Sequence, residues 1–167
     1  MIKQIKMILD KILEIIVMVC MAVLVLDVLW QVFTRLVLKD PSKKTEELAI
    51  FLLIWVALLG AAVALSLGSH LGIDYFVGKL SKSKRIITEI IAFALILAFA
   101  SYVMLYGGYD LVKSTLELGQ VAPAWQIKMG YVYLAVPISG FFMVIYSFIG
   151  LCERIKAARD GKQEGGE

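Results

Sequence analysis

LAIFLLIWVALLGAAVALSLGS, residues 48–69, contains no Asp, Glu, Lys or Arg. At ~1.5 Å of helical rise per residue, a run of about 20 residues spans a hydrocarbon core of roughly 30 Å. Inside a bilayer every backbone N–H and C=O must be satisfied within the segment, so the run reads as a transmembrane helix. Working outward, Ile90–Tyr109 and Met129–Cys152 are equally free of charge, and Ile12–Thr34 is broken only by Glu14 and Asp27. Four such runs occupy most of the chain, and a composition that is 60% hydrophobic agrees with them.

The expected fold is an all-α membrane protein of four transmembrane helices, over about 12–36, 47–69, 86–109 and 129–152. Short interfacial helices are expected at about 74–82 and 110–120, all within one domain covering 1–167. Such a plan leaves no room for a soluble catalytic domain, so enzymatic activity is not expected. Lys3, Lys6 and Lys11 resemble the basic start of a signal peptide. However, Asp27 to Gln31 follow where small residues should mark a cleavage site, so the first helix is expected to be retained.

Basic residues set the orientation. Lys3, Lys6, Lys11, Lys79, Lys82, Lys84, Arg85, Arg154, Lys156, Arg159 and Lys162 fall on one side of a four-span arrangement. Arg35, Lys39, Lys43, Lys44, Lys113 and Lys128 fall on the other. The excess on the first side places both termini in the cytoplasm.

Polar residues inside the spans are few. Asp27, Gln31 and Arg35 recur every fourth residue, with Thr34 close beside them, and form a polar stripe on span one. An ionised Asp deep in a bilayer costs at least ~2.5–3.5 kcal/mol, so the stripe should face protein or water. Two readings stand: an ion or proton site, or a helix contact in which Gln31 and Arg35 satisfy the carboxylate. Span two opens with Thr45 as its expected cap and Glu46 and Glu47 at the positive end of the helix dipole. Gly60, Ala64 and Gly68, with Ala57 and Ala61, give it a small-residue face suited to close helix approach. Trp55 lies mid-span as a packing residue.

His70 is the chain's one histidine. Alone it can neither complete a metal site nor pair as a haem ligand, so no cofactor is expected. His70 either serves a proton relay or, as favoured here, closes a helix end while Asp74 caps a short turn lying on the lipid. Phe76, Val77 and Leu80 then enter the membrane, with Lys82, Lys84 and Arg85 at the headgroups. Cys20 and Cys152 sit within or beside spans, and no disulfide is inferred. Beyond Gly107 and Gly108, the Lys113/Glu117 pair suggests a helical extension above the membrane. Pro123, Trp125, Tyr131 and Tyr133 mark an irregular re-entry, and Pro137, with Ser139 and Gly140, should kink span four. Nothing resembles a nucleic-acid-binding surface.

Gln31-Val-Phe-Thr-Arg35, Glu46-Glu47-Leu48-Ala49, Trp55, Gly60-Ala-Ala62, His70-Leu-Gly-Ile-Asp74 and Tyr133-Leu-Ala-Val-Pro137 occur in that order. Together they resemble the small membrane subunit (DctQ-like) of tripartite ATP-independent periplasmic (TRAP) transporters. Lys44-Thr45, Ile50 and Ser66-Leu67 depart from aromatic or basic residues common there. The resemblance implies a bacterial inner-membrane, multi-pass scaffold for sodium-coupled uptake of an organic acid. Its implied partners are a large multi-span permease subunit and a periplasmic substrate-binding protein, besides membrane lipids. On this reading Asp27, Gln31, Arg35, Glu46, Glu47, Trp55, Gly60, Ala64, Gly68, His70, Asp74 and Pro137 serve assembly or subunit contact. The competing reading is a stand-alone homodimeric transporter with Asp27 as its coupling carboxylate. A respiratory membrane anchor is disfavoured by the lone histidine.

Overall fold

The computed structural model describes residues 2–39, 42–67 and 82–163. Gly68, His70, Asp74 and the expected interfacial segment at 74–82, up to its last residue, lie outside the described residues. Among the described residues four helices are long and apolar enough to cross a membrane, over Met7–Leu38, Lys43–Ser66, Arg85–Glu117 and Met129–Arg159. The four-helix expectation holds.

Helix α1 (Ile2–Phe33) continues into a wider turn with i→i+5 hydrogen bonding at Thr34–Leu38 and stops where Lys39 takes a left-handed backbone. Its inward line is Leu13, Val17, Cys20, Leu24, Asp27, Gln31 and Thr34. Those positions alternate steps of four and three, the narrow seam of two helices packed side by side. The facing helix is α2 (Lys43–Ser66). Ser42, rather than Thr45, stands at its N-cap, and the Thr45 hydroxyl donates to the Ser42 carbonyl at 2.8 Å.

The third span is one rod. Helix α3 (Lys82–Phe99) widens into i→i+5 turns over Ala100–Gly107 and runs straight on as α4 (Gly108–Glu117). Its inward residues Ala100, Met104, Gly108 and Val112 recur every fourth position. At 3.6 residues per turn such a line drifts by about 40° at each step. The wider segment takes more residues per turn and keeps the line on its partner. The rod's extension past Tyr109 is the expected 110–120 segment, continuous with the span. It ends in a Schellman turn: Gly119 has φ +64°, and Gln120 N–H donates to Thr115 O at 3.2 Å.

The fourth span is a short helix α5 (Met129–Tyr133) followed, across Leu134, by α6 (Ala135–Gln163). Pro137 explains the break, since it has no N–H to offer Tyr133 and its ring crowds that carbonyl. It therefore falls in the first turn of α6, where a missing donor costs little. Gly140 serves packing rather than bending, because a Cβ there would lie 2.7 Å from Met104 Cβ.

Helix α2 packs on α6, and α6 on the rod. Thus α1 and the rod flank a central pair. At one end the helices converge on a core of Leu13, Leu59, Ala62, Leu65, Phe93 and Tyr146, with Trp55 packed against it. Most other large apolar side chains of α1 point outward, as a lipid-facing helix requires.

Candidate assembly surfaces

The span-one stripe divides. Asp27 is only 9% exposed, and its Oδ2 is buried without a hydrogen-bond partner. Gln31 is half-buried and its carbonyl accepts from Thr34 Oγ1 at 3.0 Å, while Arg35 is exposed. Arg35 forms no ion pair among the described residues. The expected pairing of Asp27 with Gln31 and Arg35 is therefore not made. Two steps of four along an α-helix rotate a side chain by about 80° away from the starting line, whereas four plus three nearly closes two turns. Thr34, which lies close beside the stripe, takes the inward place and Arg35 turns out.

At the end of the bundle where α2 begins, Glu46 is exposed and Glu47 reaches across to the 119–128 loop. The Glu47 carboxylate accepts the Ala124 N–H at 2.8 Å and the Trp125 N–H at 3.1 Å. Trp125 Nε1 donates to the Lys44 carbonyl at 2.7 Å, and the Lys44 ammonium stands 5.8 Å from the centre of the indole. A single bridge joins Val121 and Lys128, and Gln126 adopts φ +55° between them. The irregular re-entry is thus a tied loop. Glu47 is committed inside the chain, whereas Arg35 and Glu46 are exposed at this end and form no ion pair among the described residues.

On α2 the small side chains other than Ala62 leave an open face. Leu59, Ala62 and Leu65 turn inward, Ala57, Ala61 and Ala64 are exposed, and nothing lies within 4 Å of where a Gly60 Cβ would stand. The glycines that do receive a neighbour are elsewhere. A Cβ on Gly150 would meet Phe93 at 2.5 Å, and one on Gly108 would meet Val136 and Pro137 at 2.9 and 3.2 Å. Pro137 is accordingly an internal contact between α6 and the rod.

The opposite end holds a cluster that the sequence reading passed over. Glu89 of α3 accepts from Arg85 Nε at 3.0 Å, and its other oxygen lies 3.0 Å from Arg154 Nε on α6. Arg85 and Glu89 stand four apart, a helical pair that could have been noticed; the reach to Arg154 is tertiary. Nearby, the Tyr146 hydroxyl lies beside Asp10, yet neither that hydroxyl nor Asp10 Oδ1 is in a hydrogen bond. No group of three His, Cys, Asp or Glu suited to a metal ion occurs among the described residues.

These surfaces offer packing faces and charged ends but no enclosed constellation of reactive groups. Residues 23–157 match the family model for the DctQ component of tripartite ATP-independent periplasmic transporters. The chain belongs to the DctQ family. The small permease protein SiaQ of a sialic acid TRAP transporter in Vibrio cholerae is 32% identical over 148 residues, covering 85% of this chain and 80% of that protein. The C4-dicarboxylate small permease protein DctQ of Rhodobacter capsulatus is 29% identical over 59% of this chain and 43% of its own length. In Oleidesulfovibrio alaskensis the isethionate TRAP transporter permease protein DctMQ is 33% identical over 60% of this chain, which is 16% of that longer protein. DctQ proteins are transporter subunits, not enzymes, and with four apolar helices this one is a multi-pass protein of the bacterial inner membrane.

Proposed function

We propose that this chain is the scaffold subunit of a sodium-coupled TRAP transporter, packed against a large multi-span permease that imports an organic acid. The observation that most directly supports a permease partner is the similarity to DctMQ, where a DctQ-like stretch is a small part of one long permease polypeptide. Sialic acid, isethionate and C4-dicarboxylates, named for the relatives, are all organic anions, which supports that substrate class. The open small-residue face of α2 suits the permease contact, because lipid-embedded helices associate by close packing rather than by apolar burial. Both termini are cytoplasmic, and the Glu47 loop end is periplasmic. Arg35 and Glu46, exposed at that end, then face the substrate-binding protein, where rim charges tune encounter.

The test is uptake in proteoliposomes under an inward sodium gradient, with the permease and binding protein held constant. Omitting this chain should abolish uptake, and this chain alone with the binding protein should give none. Full uptake without it, or sodium-driven uptake by it alone, overturns the scaffold reading.

A further inference from the structure

The buried carboxylate of Glu89 does more than join α3 to α6. It is 11% exposed in its side chain and holds two arginines that are 50% and 44% exposed. Burial of the acid and exposure of the bases means that the cluster shows cations to its surroundings. Two guanidiniums against one carboxylate leave one positive charge. Each guanidinium carries five N–H donors in a rigid fork. Among the described residues Glu89 is the one carboxylate in ion-pair range of either arginine, so donors remain for another anion.

Depth identifies that anion. Arg85 directly precedes Ile86 and Ile87, and Thr88 and Glu89 alone separate these from the uncharged stretch Ile90–Tyr109. Arg154 follows directly on Cys152-Glu153 at the end of another. Both guanidiniums therefore stand at the edge of the hydrocarbon, level with lipid phosphates. The geometry points to a binding site for the phosphate of an anionic phospholipid, held by Arg85 and Arg154, with Glu89 orienting both forks. One phosphodiester neutralises the residual charge. Its acyl chains run down the outer surface of α3, where Ile87, Ile91 and Leu95 are exposed. A headgroup without a fixed cation is preferred, since choline would set a second positive charge beside the arginines. Basic sites between transmembrane helices recognise lipid headgroups on this principle.

The test is native mass spectrometry of the full chain released from detergent after equilibration with phosphatidylglycerol or phosphatidylcholine. The wild type should retain phosphatidylglycerol in preference to phosphatidylcholine. Arg85→Lys with Arg154→Lys keeps the charges and the pairing to Glu89 but removes the forks, and should lower that retention roughly tenfold. Arg85→Gln with Arg154→Gln should bring it to the phosphatidylcholine level. Lys156→Gln, an exposed charge at the same end, should leave it unchanged. Equal retention of the two lipids, or full retention in the doubly Lys-substituted chain, overturns the site. Displacement by millimolar inorganic phosphate assigns the forks to free phosphate and overturns the lipid. The Lys variant decides the matter if the Gln variant does not fold.

Discussion

Glu47 illustrates how one carboxylate can hold a loop against a helix. Its two oxygens accept two consecutive backbone N–H groups, and hydrogen bonds to a charged acceptor are about twice as strong as neutral ones. Glu47→Gln keeps the shape but has one acceptor oxygen and no charge. Amide exchange at Ala124 and Trp125 should then accelerate by roughly tenfold, with the transmembrane amides unaffected. Unchanged protection at both would mean that the Trp125 bond to Lys44 and the Val121–Lys128 bridge hold the loop without it. Asp27 is the opposite case, a buried carboxyl with an unpartnered oxygen. Its α1 seam position turns it toward α2, away from the face that Arg35 occupies.

At the scale of the helix, glycines separate internal from external faces. Gly150 and Gly60 are both helical, yet one is filled by Phe93 and the other by nothing. Gly150→Ala should lower the thermal midpoint of the isolated chain in detergent, through ~1–3 kcal/mol of overpacking against Phe93. Gly60→Ala should hold or raise it, since alanine gains roughly 0.5–1 kcal/mol in a helix and meets no clash. Gly60→Leu should leave the isolated chain folded but lower recovery of the complex with the permease. A complex recovered in full with Leu at that position would turn the face toward lipid. The rod shows the same logic along its length, where a four-residue repeat forces a wider helical segment so that Ala100, Met104, Gly108 and Val112 stay on one line.

For the whole molecule, the distribution of charge predicts which end meets the cytoplasm. Cys152 is exposed at the Arg85–Glu89–Arg154 end, and Lys113 is exposed on α4 at the other. In a Cys20→Ser background, an impermeant maleimide applied to spheroplasts should label Cys152 only after lysis. With Cys152→Ser added, a cysteine placed by Lys113→Cys should label before lysis. The reverse pattern inverts the topology and puts the Glu47 loop in the cytoplasm, out of reach of any periplasmic partner. The tyrosine ladder of Tyr102, Tyr106 and Tyr109, all exposed, lies toward the Lys113 end as an interfacial aromatic belt does.

The sequence alone determined the span count and class, because a bilayer admits few ways to satisfy a backbone and an uncharged run of about 20 residues is one of them. It also carried the family, through motifs spread in order from Gln31 to Pro137. The break at Pro137 was legible because the missing N–H is a local property. Contacts were not. Leu13 and Tyr146 share one core, Glu47 meets Ala124 and Glu89 meets Arg154 only because segments distant in sequence are brought together. Spacing by fours placed Arg35 with Asp27, while the packing seam, set by the 3.6-residue turn against α2, selected Thr34. The small-residue face of α2 was legible as a face, but its direction was not. Only the tertiary structure decided that it looks outward, since the inward side was already filled by Leu59, Ala62 and Leu65.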